Sequence, residues 1–277
     1  MRKLFCTLLV LLLLPACLAQ TGTYRALLVT NAHYDDGRIR LGGLNSVQGL
    51  YDCLSRCFGS NGSFICNTGA DLEKNALLDY INYSFSEANE GDVSLFYLNA
   101  HGGQQCGRCW METREGGRIY SEELEEALRS IPGRVIVLID ACNSGGHIGN
   151  ESSFSAQFSV VFSHNSFASE KYLVIASCHL DENSYRVSAD KAVESSVATV
   201  FARSFCEGLG WDLINDHSTA LKADADRNRE VTFTELTDYI RRRCMYYLSA
   251  MPMYTQSVNR SCAQPDFVFA SRNSGIN

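Results

Sequence analysis

Val-Ile-Val-Leu-Ile-Asp-Ala-Cys-Asn-Ser-Gly-Gly, residues 135–146, decides how this chain is read. Five apolar, mostly β-branched residues follow Pro132 and Gly133 and give way to small, polar ones. A run so short and so apolar reads as a strand buried on both faces, at the centre of a parallel sheet. It delivers Asp140 and Cys142 to its carboxyl end, where open parallel sheets bind their ligands. The pattern recurs upstream: Val93 to Leu98 is strand-like and runs out into Asn-Ala-His-Gly-Gly, residues 99–103. A second strand thus delivers His101 to its end, followed by two glycines that let backbone approach a ligand. Between the two, Ser121 to Ile131 reads as a crossover helix, with Ser121 as N-cap, acidic residues in the first turn and Leu124, Leu128 and Ile131 on one face. Packed as one βαβ unit, these segments set a thiol beside an imidazole.

The rest of the chain alternates in the same way. Strands are expected at Ala26–Thr30, Ser63–Cys66 and Tyr172–Ser177, and a last, edge strand at Asp266–Ala270. Helices are expected near Asn45–Cys57, Leu72–Phe85 and Val197–Gly208. This order predicts an α/β domain with a mostly parallel central sheet of about six strands and helices on both faces. Residues 143–171, rich in serine and asparagine, read as a long functional loop.

Met1 to Ala19 carries Arg2 and Lys3, a short apolar core and small residues at its end, the layout of a secretory signal peptide. The expected organisation is therefore signal peptide 1–19 and one large α/β domain, 20–277, in a secreted or extracytoplasmic protein. Lipid anchoring at Cys17 is the alternative, and no other stretch is long and apolar enough for a membrane span. The formal charge of −7 argues against nucleic acid as the partner. Export makes disulfides expected among the cysteines, with no pairing deducible from spacing. A zinc site from Cys53, Cys57, Cys106 and Cys109 is a competing reading.

His-Gly-Gly at one strand end and Asp-Ala-Cys-Asn-Ser-Gly at the next resemble the caspase-like cysteine peptidases: caspases, metacaspases, legumain, clostripain and gingipains. The cysteine motif is more similar to the metacaspase and bacterial forms, and the resemblance runs from about Tyr24 to Tyr239. It implies a cysteine endopeptidase acting on polypeptides. Cys142 would be the nucleophile, His101 the proton carrier, and the N–H groups of Gly102 and Cys142 the oxyanion donors. It implies that Asp140 and Ser177 line the pocket for the residue before the scissile bond, which favours arginine or lysine. Arg40 stands roughly where caspases hold aspartate, and would instead neutralise Asp140 or select an acidic residue. A legumain-like preference for asparagine, a transpeptidase, and an inactive scaffold relative are the other readings. Lys171 and Arg186 are candidate activation cuts.

Asp224, Asp226, Asn228, Thr232 and Glu235 stand at positions 1, 3, 5, 9 and 12 of an EF-hand-like spacing, with Arg229 where glycine belongs. The spacing makes calcium possible. The competing reading is an acidic turn before a helix opened by the capping box Thr232 to Glu235. The hydrolysis itself requires no cofactor.

Overall fold

The computed structural model describes residues 22–36, 43–56, 63–105, 108–148, 171–186, 198–251, 253–261 and 266–272. The strongest apolar runs of the sequence lie at the centre of its main sheet. These are β3 (Val93–Asn99), β7 (Arg134–Asp140), β1 (Tyr24–Thr30) and β8 (Tyr172–Ala176). β7 pairs in parallel with β3 and β8, and β3 pairs in parallel with β1. β2 (Ile65–Ala70) extends the sheet beyond β1, and β12 (Asn259–Arg260) closes the other edge antiparallel to β8. The order is β12-β8-β7-β3-β1-β2, six strands with one antiparallel neighbour.

Because successive side chains of a strand point to opposite faces, each central strand serves two cores. Leu28, Leu95, Tyr97, Leu138 and Ile175 pack on one face with α1 (Gly43–Arg56), α5 (Val200–Gly208) and α6 (Phe233–Leu248). Leu27, Phe96, Leu98, Val137 and Val174 pack on the other with α2 (Lys74–Ser84) and α3 (Ser121–Arg129). The helices on both faces agree with the sequence expectation. α3 starts behind Tyr120, whose backbone N–H is taken by the Glu123 carboxylate at 3.0 Å.

Three expectations need correction. The strand expected at Ser63–Cys66 runs from Ile65 to Ala70. As an edge strand it is partly exposed, so Asn67 and Thr68 are tolerated there and the apolar signal is weak. The strand expected to end the main sheet is β13 (Val268–Ser271), which pairs instead with β11 (Glu230–Thr232) in a separate two-stranded ladder. The zinc reading fails: Cys53 belongs to the α1 core, whereas β5 (Arg108–Glu112), which carries Cys109, packs through Met111 on the opposite face. Cys57 and Cys106 lie outside the described residues. Among the described residues, Cys66, Cys109, Cys142, Cys178, Cys206 and Cys244 are free thiols.

One element went unread in the sequence. After His101 the chain forms a three-stranded antiparallel sheet of β4 (Gly102–Gln105), β5 and β6 (Arg118–Tyr120) before entering α3. Among the described residues no helix is long and apolar enough to cross a membrane.

Candidate active site

The parallel pairing of β3 with β7 puts Asn99 opposite Asp140. His101 and Cys142 each follow two residues later, at adjacent carboxyl ends of neighbouring strands. The Asn99 side chain donates to the Asp140 carbonyl at 2.8 Å and so binds the two strand tips together. A β-carbon added to Gly102 would stand 2.4 Å from the Cys142 carbonyl oxygen and 2.9 Å from the Ala141 β-carbon. Only glycine allows the histidine turn to lie against the cysteine turn so closely. The structure thus brings His101, Gly102 and Cys142 into one locus.

Cys142 is partly buried, and burial pushes its thiol above the ordinary range. The Asp140 charge adds to that rise, while the Ser184 backbone N–H on the sulfur opposes it. Its turn is braced from the following loop: the Asn143 N–H donates to the Glu182 carbonyl at 2.8 Å, and its side chain to the Leu180 carbonyl at 2.7 Å. Asn143 takes a left-handed backbone, φ 59°, which asparagine tolerates better than most residues.

Asp140 is fully buried. Tyr97 and Thr199 hydroxyls donate to Oδ2, Tyr97 at 2.8 Å, and the Ser184 hydroxyl donates to Oδ1 at 2.8 Å. Burial still raises its carboxyl, and these hydroxyls, with Ser177, pull the other way. Thr199 is also the N-cap of α5, accepting the Ala202 N–H at 3.0 Å. Ser184 therefore touches both the carboxylate and, through its backbone, the thiol. It stands in the loop between β8 and α5, where no periodicity marks which side chain turns inward.

Ser177 is completely buried beneath this group, its N–H on the Ile139 carbonyl at 2.9 Å and its hydroxyl 3.1 Å from that of Ser144. Arg40 lies outside the described residues, as do the segment expected to be a signal peptide, Cys17 included, and most of the loop 143–171. The two candidate cut sites are tied into local structure. The Lys171 carbonyl accepts the Val135 N–H at 2.9 Å, and Arg186 forms an antiparallel bridge with Thr199. Cys178, the nearest rival thiol, is fully buried and pushed up to about 11, its sulfur donating to the Ala141 carbonyl at 3.2 Å.

At the other candidate site, oxygens of Asp224, Asp226 and Glu235 lie within 4.8 Å of one another. Arg229 adopts φ 71°, the conformation that glycine would take there. Glu235 Oε2 accepts from the Thr232 N–H and hydroxyl at 2.9 Å each, and Oε1 from the Ala225 N–H at 3.0 Å. The Asp224 carboxylate accepts the Asn228 and Arg229 N–H groups at 3.1 and 3.0 Å. The donor set suits a divalent cation. The loop and the capping box of α6 are also complete without one.

No protein-family model matches this sequence, and no curated protein matches it. Solved structures do. Caspase-1 from Spodoptera frugiperda superposes with a TM-score of 0.62 at 13% identity, covering 92% of this chain and 93% of its own. The Drosophila initiator caspase Dronc gives 0.57 at 12% identity, covering 90% and 84%. Protein GSU0716 from Geobacter sulfurreducens gives 0.55 at 13% identity, covering 91% and 96%. The chain has the caspase-like fold, an α/β/α sandwich on a six-stranded, mostly parallel sheet.

Proposed function

We propose that the protein is a secreted cysteine endopeptidase that hydrolyses polypeptides through Cys142 and His101, after arginine or lysine. The observation that carries this reading is the Asn99–Asp140 pairing, two residues short of both functional groups, with Gly102 seated on the Cys142 backbone. In a resting thiol raised by burial, little thiolate is present at neutral pH, so His101 acts as general base during attack. The Sγ–H proton passes to the imidazole as sulfur bonds to the scissile carbonyl carbon. The former carbonyl oxygen takes the negative charge against the Gly102 and Cys142 N–H groups. One such donor contributes about 2.7–4 kcal/mol to lowering the barrier. When the C–N bond breaks, the imidazolium proton leaves with the amine. Water then attacks the thioester, His101 takes its proton, and the proton returns to sulfur as the acid departs.

Asp140 supports the basic preference. The buried carboxylate is ringed by the neutral hydroxyls of Tyr97, Thr199 and Ser184, and a substrate cation entering beside Ser184 supplies the opposite charge. A second reading, asparagine before the scissile bond, is favoured by the same hydroxyls, which already satisfy both carboxylate oxygens. If calcium binds, Asp224, Asp226, Asn228 and Glu235 hold it as a brace for the loop before α6, and no step of hydrolysis runs through it.

Matched reporter peptides carrying Arg, Lys, Asn or Asp decide among these, with Cys142→Ala as control. Cleavage after Arg and Lys, abolished in the control, is the expected result. Preference for Asn or Asp rejects the basic pocket, and cleavage surviving in Cys142→Ala rejects the thiol mechanism.

A further inference from the structure

We propose that Tyr34 is the positioning residue for His101, a role that rests on the peptidase reading above. β3 ends at Asn99, so the His101 N–H lies beyond the ladder. The Tyr34 hydroxyl accepts it at 2.9 Å. The Tyr34 ring lies against the imidazole, centroids 4.9 Å apart and planes at 34°, and Tyr34 is 6% exposed. One side chain therefore holds both the backbone and the ring of the histidine.

Tyr34 is itself fixed from both sides. The Asp71 carboxylate accepts the Ala32 and His33 N–H groups at 2.8 Å each and lies 2.7 Å from His33 Nδ1. On the far side, the Asp35 N–H donates to the Arg114 carbonyl at 3.2 Å, and the Arg114 Nε to the Asp35 carboxylate at 3.1 Å. The His101 carbonyl is held as well, by the Glu112 N–H at 2.8 Å, and the Asn31 side chain holds the Glu112 carbonyl at 3.1 Å. The turn after β1 thus grips the histidine from above while β5 grips it from the side. Catalytic groups need placement to within about 0.5 Å and 10–20°. A histidine on a glycine-rich turn does not obtain that from its own strand.

The role has a signature that a merely structural tyrosine lacks. Expelling an amine from the tetrahedral adduct requires the imidazolium proton, delivered along a short, aligned path. Expelling a phenolate from an ester with the same acyl group needs almost no proton. A mispositioned imidazole therefore slows acylation by an amide far more than acylation by an ester, and kcat/KM reads that step. The deacylation in which His101 takes a proton from water is common to both. The experiment compares wild type, Tyr34→Phe, Tyr34→Leu and His101→Ala on a matched amide and aryl ester, with thermal unfolding recorded for each. Tyr34→Phe keeps the ring and loses the hydrogen bond; amide kcat/KM should fall ~10-fold and ester kcat/KM less than about threefold. Tyr34→Leu, which also loses the ring contact, should lower the amide-to-ester ratio further. It provides the same reading should the Phe variant fold poorly. Equal losses on both substrates, or an unchanged ratio while His101→Ala is inactive on amides, overturns the positioning role alone. Amide hydrolysis that survives His101→Ala, or a wild type that turns over neither substrate, overturns the peptidase reading and the role of Tyr34 with it.

Discussion

Asp140→Asn separates a pocket carboxylate from a structural one. The side chain is fully buried, with Tyr97 and Thr199 on one oxygen and Ser184 on the other. Asparagine has the same shape. Its carbonyl oxygen can keep the Tyr97 and Thr199 donors, and the Ser184 hydroxyl can turn to accept from its NH₂. The loss of charge assistance in those bonds, on the order of 1–2 kcal/mol, is offset in part by no longer burying an anion. The variant should therefore fold. Its effect on substrates is larger, because losing one partner of a buried, hydrogen-bonded charge pair costs roughly 2–5 kcal/mol. Taking the lower-middle of that range, kcat/KM on an arginine peptide should fall roughly 100-fold. An asparagine peptide, which brings no charge, should change by less than about threefold, and it gains slightly from a thiol no longer raised by Asp140. The assay is kcat/KM on the matched pair, with circular dichroism to establish the fold. An arginine-to-asparagine selectivity equal to that of wild type refutes the argument. Acid should mimic the variant: burial raises Asp140, so arginine selectivity should fade at a pH above the ordinary aspartate value of about 3.9.

The raised Cys142 thiol predicts that its alkylation by iodoacetamide still accelerates through about pH 9; a rate already level below neutral pH would mean a preformed thiolate–imidazolium pair. Glu125 is buried, its Oε2 finds no hydrogen-bond partner among the described residues, and burial pushes its carboxyl up to about 8. A raised carboxyl favours the fold when protonated, so wild type should lose stability as pH climbs from about 4.3 toward that value, and Glu125→Gln should not. At pH 8 the variant should be the more stable by about 2 kcal/mol after allowing for solvent screening, and at pH 4 the two should unfold together. His147 runs the other way. It is 1% exposed, its Nδ1 lies 2.7 Å from the Ser121 hydroxyl, and burial depresses it to about 4. Stability present above the unfolded value of about 6.5 should drain away as pH falls toward 4, by about 3 kcal/mol in all. His147→Gln should flatten that acid limb in urea titrations; an unchanged limb would place the loss elsewhere.

Local sequence determined the elements that carry the candidate site. β7 and β3 are runs of apolar residues that satisfy two cores at once, and such runs announce themselves without any partner. The small, glycine-rich turns after them announced the strand ends, and with them His101, Gly102 and Cys142. Elements whose burial is one-sided or brief were hard to see. β2 is a polar edge strand, β12 is two residues long, and the partner of β13 is β11 rather than the main sheet. The surroundings of the site were beyond local reading altogether. Asp140 is ringed by hydroxyls 43, 44 and 59 residues away in sequence, and His101 is held by a tyrosine 67 residues before it. Periodicity reports which face of an element is buried, because that depends on spacing within one segment. Which donor meets which acceptor across the carboxyl edge depends on how six strands and the loops between them pack, and only the tertiary structure decided that.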